Sequence, residues 1–126
     1  MSGSQFSFDL EERTAQFGER IVRFCKAILL NEITKPIVNQ IVRSGTSVGA
    51  NYMEANAASS KKDFRNKIYI CKKEAQETKH WLRMLSQCVV EDKKQELREL
   101  WQEAQELTLI FGKAVSTIDE KNKSNF

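Results

Sequence analysis

Apolar residues recur along most of the chain at alternating steps of three and four, the spacing of a helix that buries one face. One segment keeps this spacing from Phe64 to Val89 without a break, and three more follow it over residues 10–28, 37–58 and 97–118. No segment alternates with the period of two that marks a half-buried strand. The pattern therefore predicts an all-α fold with four helices.

Turn and capping residues separate the four segments. Pro36 fits the first turn of the second helix, because the N–H that proline lacks has no intrahelical partner there. Ser60 and Asp63 have the spacing of a capping box before the third helix. Short connections between long helices require neighbours to run antiparallel, which predicts an antiparallel up-down-up-down four-helix bundle. The predicted boundaries are a flexible N-terminus at 1–8, a bundle at 9–120 with helices at about 9–31, 35–58, 61–88 and 92–119, and a flexible tail at 121–126.

The second helix contains a stretch, Ser44–Ser47, that propensity alone would assign to a loop, since Gly, Ser and Thr are weak helix formers. The apolar spacing continues on both sides of it, which favours one continuous helix. Small residues along this helix predict close approach of neighbouring helices. The polar residues Asn51 and Glu54 have no role that the pattern explains.

Composition narrows the function classes. The chain has 126 residues, a net charge of +3 and three cysteines without a CxxC spacing, which argues against a disulfide framework or a zinc knuckle. No apolar run exceeds four residues, whereas a membrane helix needs about 20. The N-terminus lacks the pattern of a secretory signal, so a cytoplasmic protein with no membrane partner is expected.

The sequence gives little support for a metal site or a catalytic nucleophile. Glu77 and His80 have the Glu-x-x-His spacing of di-iron bundles, but such sites need the motif on two helices and His80 is the sole histidine. Both residues also project away from the apolar stripe of their helix. The sequence therefore predicts no catalytic residue, no metal site and no cofactor, and hence no enzyme.

Cations form a ridge along one flank of the third helix, within about 40° of one another at the helical advance of about 100° per residue. The members of this basic ridge are Lys61, Arg65, Lys72, Lys79 and Arg83, and Tyr69 lies beside them. Spaced cations with an adjacent aromatic ring suit a polyphosphate backbone. A solvated helix face would show the same lysines, so both interpretations stand.

The opposite flank of the third helix carries Ile70, Glu74 and Trp81, and the first helix has an extra apolar strip that includes Val22 and Leu29. Large apolar side chains outside the core often mark a contact surface. These five residues are the predicted oligomer interface. A wide intramolecular core is the alternative.

Four runs of residues identify a family: Ile33–Pro36, Gln40–Ala55, Ser60–Phe64 and Cys71–Leu82. They resemble the four-helix-bundle proteins first noticed as products of 23S rRNA intervening sequences, and the resemblance covers about Phe8 to Ile118. It implies a bundle that assembles into a ring-like homo-oligomer, a pentamer.

More distantly, the family is similar to the accessory variability protein of diversity-generating retroelements, a basic pentameric barrel that binds a reverse transcriptase and nucleic acid. This similarity implies RNA or DNA and a reverse transcriptase as partners. It adds Arg43 and Lys62 to the basic ridge as expected nucleic-acid contacts. Two functions follow as hypotheses: a non-enzymatic nucleic-acid-binding oligomer, and an oligomeric protein scaffold without nucleic-acid contact.

Overall fold

The structure, a computed structural model, describes residues 3–124, with side chains described for 9–123. It contains four helices, α1 (Gly3–Lys26), α2 (Thr34–Asn56), α3 (Lys61–Leu85) and α4 (Glu91–Ser124). Within the described residues there is no strand, so the predicted all-α fold is confirmed. No helix in this part of the chain is both long and apolar enough to span a bilayer.

The helix boundaries differ from the predicted ones at several points. Residues 3–8 continue α1 and residues 121–124 continue α4, because the apolar repeat marks only the part of a helix that packs, not its full length. Met1, Ser2, Asn125 and Phe126 lie outside the described residues.

The turn after α1 explains why that helix ends at Lys26 and not near residue 31. Asn31 accepts hydrogen bonds at Oδ1 from the backbone N–H groups of Ile33 and Thr34, each at 2.9 Å. In return, Thr34 Oγ1 accepts from the Asn31 N–H at 2.9 Å and donates to the Leu29 carbonyl. These bonds satisfy backbone groups that would otherwise be unpaired at the start of α2.

Helix α2 packs against α1 and α3, and α3 packs against α2 and α4, so the bundle follows chain order. The third segment buries its predicted stripe as expected, with Ile68, Cys71, Ala75, Leu82 and Leu85 at 2% exposure or less. Apolar residues of all four helices form one core, which confirms the predicted bundle.

Helix α2 runs without interruption through Ser44–Ser47. The hydroxyls of Ser44, Thr46 and Ser47 donate to carbonyls four residues earlier, at 2.6–2.8 Å, so the polar side chains are satisfied within the helix. Gly45 brings α1 close: a Cβ at this position would lie 2.9 Å from Cγ1 of Ile21. The continuous helix and its close approach to a neighbour are therefore confirmed.

Backbone contact between α1 and α4 is sparse, and an ion-pair cluster joins them. Arg13 of α1 donates from Nε and Nη2 to the two carboxylate oxygens of Glu103, each at 2.8 Å, and from Nη2 to Glu106 at 3.1 Å. The hydrogen bond to Glu103 is the largest influence that raises the pKa of Arg13. A bidentate pair of this kind fixes orientation as well as distance.

Candidate nucleic-acid interface

One face of α3 points directly away from the core. We call it the outer face of α3, and all of its side chains are exposed. Its members are Lys62, Asn66, Tyr69, Lys73, Gln76, His80 and Arg83. They follow one another at steps of three and four, as the core residues do, but on the opposite side of the helix. None of them is acidic.

The three cations of the outer face are unneutralised. Among the described residues, the side chains of Lys62, Lys73 and Arg83 have no ion pair or hydrogen bond. The helical rise of 1.5 Å per residue separates Lys62 from Arg83 by about 30 Å. Tyr69 is 44% exposed between them, and His80 lies edge-on to Trp81 with ring centroids 5.0 Å apart. The Arg65 guanidinium lies over one side of the Tyr69 ring, 5.4 Å from its centroid. The face thus offers a ligand positive charge, the other side of the Tyr69 ring and the ring of His80.

The outer face continues toward the start of α3. Ser60 accepts a hydrogen bond from the Asp63 N–H at 3.0 Å and caps the helix, as its capping-box spacing predicts. Lys61 is exposed there, and it lines a cleft with Lys121 from the end of α4. Lys61 therefore adds positive charge at this end of the bundle.

In the structure, the residues of the predicted basic ridge fall into two groups that differ in exposure. Lys61 and Arg83 are exposed, whereas Arg65, Lys72 and Lys79 are half-buried along the seam with α4. Arg65 donates to both carboxylate oxygens of Asp119 at 3.1 Å. This hydrogen bond is the main cause that raises the pKa of Arg65 and lowers the pKa of Asp119.

The other two half-buried members of the ridge lie against uncharged groups. Lys79 hydrogen-bonds Gln105 and lies over the ring of Trp101, 5.3 Å from its centroid. The stem of Lys72 passes Gly112, where an added Cβ would meet Lys72 Cε at 3.6 Å. Long basic side chains commonly cover apolar surface with their stems in this way.

Arg43 belongs to α2 and lies beside the flank of α3 that is opposite the basic ridge. Its side chain takes part in a network that joins α2 to α3. It pairs with Glu74 at 3.0 Å and with Glu77, and it donates to Gln40 at 2.9 Å. Glu77 also accepts from the indole N–H of Trp81 at 3.2 Å. The structure therefore does not bring Arg43 together with the other predicted nucleic-acid contacts.

Replacing Arg43 with alanine is expected to lower the free energy of unfolding by about 1–3 kcal/mol, because it leaves a buried carboxylate without its partner. Glu74 is only 7% exposed. Urea denaturation followed by circular dichroism measures the change. The double change Arg43→Met with Glu74→Leu removes both charges, and we expect it to recover part of the loss. A double variant less stable than Arg43→Ala contradicts this interpretation.

The five residues of the predicted oligomer interface lie in different environments. Val22 and Leu29 are exposed, at 39% and 84%. Trp81 is half-buried and packs against the core, Ile70 is half-buried, and Glu74 is buried by its pair with Arg43. An interface that contains all five stays a prediction.

Four outer-face residues are absent from the predicted site, namely Asn66, Lys73, Gln76 and His80. Their signal was present in the sequence, because they stand directly opposite the core stripe at the same helical spacing. The predicted basic ridge contains more cations than the outer face does. The position of α4 decides which side chains are exposed: α4 covers part of the basic ridge and leaves the outer face open to solvent.

Two cysteines are buried in the core, and desolvation raises the pKa of each to about 12. Cys25 and Cys71 are therefore thiols at neutral pH, a form that is a poor nucleophile. Cys88 is exposed and free. Within residues 3–124, no group of three or more His, Cys, Asp or Glu side chains is placed to hold a metal ion.

Comparison with known proteins agrees with the motif resemblance. The family model of the 23S rRNA-intervening sequence proteins matches residues 8–113. The chain belongs to this family. Its fold is similar to the crystal structure of a protein of unknown function from the S23 ribosomal protein family of Bacteroides thetaiotaomicron VPI-5482, with 33% sequence identity and a TM-score of 0.72. The match covers 83% of this chain and 96% of that one. A search of curated proteins finds no significant match.

Proposed function

We propose that this protein is a non-enzymatic, homo-oligomeric four-helix bundle of the cytoplasm that binds RNA through the outer face of α3. The observation that carries the proposal is the run of seven exposed positions without a carboxylate, in which three unpaired cations alternate with polar and aromatic side chains. Neutralising phosphates releases bound counterions, which supplies most of the affinity of such a surface.

For the binding of RNA, the local charge of the outer face matters more than the net charge of the chain. The net charge of +3 is small because 17 acidic residues offset 20 basic ones. Several of those acids lie on the part of α4 that faces α1, where Glu99, Glu103 and Glu106 surround a shallow cleft with Arg20. Arg13 pairs with Glu103 and Glu106, so most of the acidic charge on the α1–α4 side is offset. The outer face of α3 is positive, which attracts a polyanion to it.

The exposed rings favour a single-stranded or looped ligand. Tyr69 and His80 lie on the same face as the cations. Unpaired bases stack on aromatic side chains, whereas the bases of a duplex are already stacked on each other. The name of the family, which refers to sequences that interrupt 23S rRNA, supports RNA over DNA as the ligand.

Assembly would multiply the effect of each face. In a ring-like homo-oligomer such as a pentamer, several copies of the outer face engage one strand, and the effective concentration of each additional contact increases overall affinity. The distant similarity to the retroelement accessory protein adds a reverse transcriptase as a candidate protein partner of the assembly.

Reversing the three outer-face charges tests the proposal. Lys62→Glu, Lys73→Glu and Arg83→Glu together are expected to weaken binding of a fluorescent single-stranded RNA by at least about tenfold at low salt, because three phosphate contacts are lost. Arg65 and Lys79 are left unchanged, since they hold contacts within the fold. Fluorescence anisotropy measures binding, and circular dichroism monitors folding.

The matched control reverses three exposed cations away from this face, Arg23, Lys26 and Lys35, and so makes the same change in net charge. We expect the control to bind within about threefold of the wild type, since nonspecific charge alone has a smaller effect than lost phosphate contacts. Equal losses in the two triple variants would contradict an interface on α3.

A protein scaffold is the second candidate function, and one observation favours it. Large apolar residues are exposed at the end of the bundle where the α1–α2 and α3–α4 connections meet, with Leu29, Ile33 and Val90 at 84%, 67% and 66%. Purified complexes that contain a protein partner and no nuclease-sensitive material would favour the scaffold over RNA binding.

A further inference from the structure

A cleft with a volume of about 530 Å³ lies between the end of α3 and the first half of α4. We call it the α3–α4 pocket, and its lining residues are Arg83, Ser86, Leu97, Arg98, Trp101 and Gln102. None of the six is acidic. Arg83 also belongs to the outer face of α3, so the pocket continues that face onto α4. Its volume is within the range of about 300–1,000 Å³ that is usual for sites of small ligands.

Two arginines, one from each helix, supply positive charge to the α3–α4 pocket. In the described part of the chain, the side chain of Arg83 has no ion pair or hydrogen bond. Arg98 donates to the side-chain oxygen of Gln95 at 3.0 Å, an uncharged partner that leaves its charge unneutralised. No carboxylate stands three or four residues from either arginine on its helix. Since a guanidinium presents paired N–H donors that match phosphate oxygens, the pocket suits a phosphate group.

Trp101 and Leu97 provide the apolar part of the pocket. Leu97 is buried, and Trp101 is half-buried against the core. Lys79, which is held by Gln105, lies over the indole and fixes a third positive charge close to it. Among the described residues, the indole N–H of Trp101 has no hydrogen-bond partner. The pocket therefore contains an immobilised aromatic surface with a free donor at its edge, on which a base can pack.

The positive surface ends at Gln102. This residue lines the α3–α4 pocket and also the cleft that faces α1, whereas Glu99, Glu103 and Glu106 line only that cleft. The side-chain amide of Gln102 has no hydrogen-bond partner in the part of the chain that the structure describes, so it is available to the edge of an unpaired base. A polyanion on the outer face thus meets cations as far as Arg98 and carboxylates beyond Gln102.

The mixed lining of the pocket selects a nucleotide over simpler ligands. An apolar molecule would take Arg83 and Arg98 out of water without giving either charge a partner, which is costly. A bare inorganic anion would leave Leu97 and Trp101 without a partner. A nucleotide carries a phosphate group and a planar ring on one molecule, so it matches both parts of the lining.

We propose that the α3–α4 pocket binds one unpaired nucleotide of the RNA strand that follows the outer face of α3, with its phosphate on Arg83 and Arg98 and its base against Trp101. The inference rests on the proposed function and deepens it, because it extends the interface to α4. Arg83 is shared by both parts of the interface, and Gln102 is the contact at its far end.

The two tryptophans of the chain allow the pocket to be monitored directly. In Trp81→Phe the only tryptophan is Trp101, and we expect single-stranded oligoadenylate to quench its emission as the strand saturates the protein. In the matched variant Trp101→Phe the emission comes from Trp81, which donates to Glu77 on the other flank of α3, and it should not change. Fluorescence anisotropy of labelled oligoadenylate measures binding in both. Saturated binding without a change in Trp101 emission, or equal quenching in the two variants, would overturn the proposal.

Arg98→Ala provides an independent measurement at an exposed position. We expect it to weaken oligoadenylate binding at least about threefold and to reduce the magnitude of the salt slope by about 0.7, because one phosphate contact is lost. Arg23→Ala, the same substitution at an exposed arginine of α1, should bind within about twofold of the wild type. Equal affinities and slopes for the two variants contradict a phosphate on Arg98.

Adenosine monophosphate distinguishes a strand from a free nucleotide. It carries the phosphate and base but makes no contact with Lys62 or Lys73, so it should quench Trp101 only at concentrations at least about tenfold higher than the strand requires. Quenching at the same concentration as the strand would overturn the assignment of the pocket to RNA.

Failure of this inference is separable from failure of the proposed function. Binding that depends on Lys62 and Lys73 but leaves Trp101 emission unchanged and ignores Arg98→Ala would overturn the pocket alone. Binding that depends on Arg98 and quenches Trp101 but ignores charge reversal at Lys62 and Lys73 would overturn the interface on the outer face alone.

Discussion

Phe111→Ala is expected to lower the free energy of unfolding by about 3–5 kcal/mol, among the largest effects of any single core truncation in this chain. Phe111 is fully buried in α4, and its ring centroid lies 5.8 Å from that of Tyr52 on α2. Phe111 and Tyr52 thus bring α4 into contact with α2, a helix that is not its neighbour in chain order. Removing the ring leaves a cavity that the surrounding helices can fill only in part.

Urea denaturation followed by circular dichroism measures this change. Ser116→Ala, at an exposed position of the same helix, is the matched control and should alter stability by less than about 0.5 kcal/mol. A loss below about 1 kcal/mol in Phe111→Ala would show that α4 does not close the core as described.

Gly45 is the second position with a large expected effect. Alanine in the middle of a helix usually stabilises a protein by up to about 1 kcal/mol relative to glycine. At Gly45 the sign should reverse, because the added Cβ would lie 2.9 Å from Cγ1 and 3.0 Å from Cγ2 of Ile21 on α1. We expect a loss of about 1–3 kcal/mol for Gly45→Ala and a larger one for Gly45→Leu.

Gly112→Ala is the matched control for the same substitution. Its Cβ would meet only the stem of Lys72, at 3.6 Å or more, which is an ordinary contact. The control should therefore be neutral or gain up to about 1 kcal/mol. Equal effects at the two glycines would mean that α1 and α2 are not in close contact at Ile21.

The fold could be predicted from the sequence because each helix buries one regular stripe. The stripe of α3 from Phe64 to Leu85 is specified by its own spacing, without reference to other helices. The ends of α1 were not predictable in the same way. Its C-terminus depends on reciprocal hydrogen bonds between Asn31 and Thr34, and a pattern of apolar residues carries no information about them.

The site was predictable only in part, because helix angles do not show how far a neighbouring helix covers a flank. Lys79 belongs to the basic ridge by its angle, yet Trp101 of α4 lies beneath its ammonium group. Arg43 is a residue type that often contacts phosphate, but two carboxylates from α3 neutralise its charge. Lys73 has no cation three or four residues away on its helix, but its side chain is exposed.

The salt dependence of RNA affinity tests the central claim, an RNA interface on the outer face of α3, most directly. For a single-stranded ligand, the logarithm of the binding constant falls with the logarithm of salt by about 0.7 per phosphate contact. The variant reversed at Lys62, Lys73 and Arg83 should therefore show a slope smaller in magnitude than that of the wild type by about 2. Identical slopes for the two proteins would contradict the account.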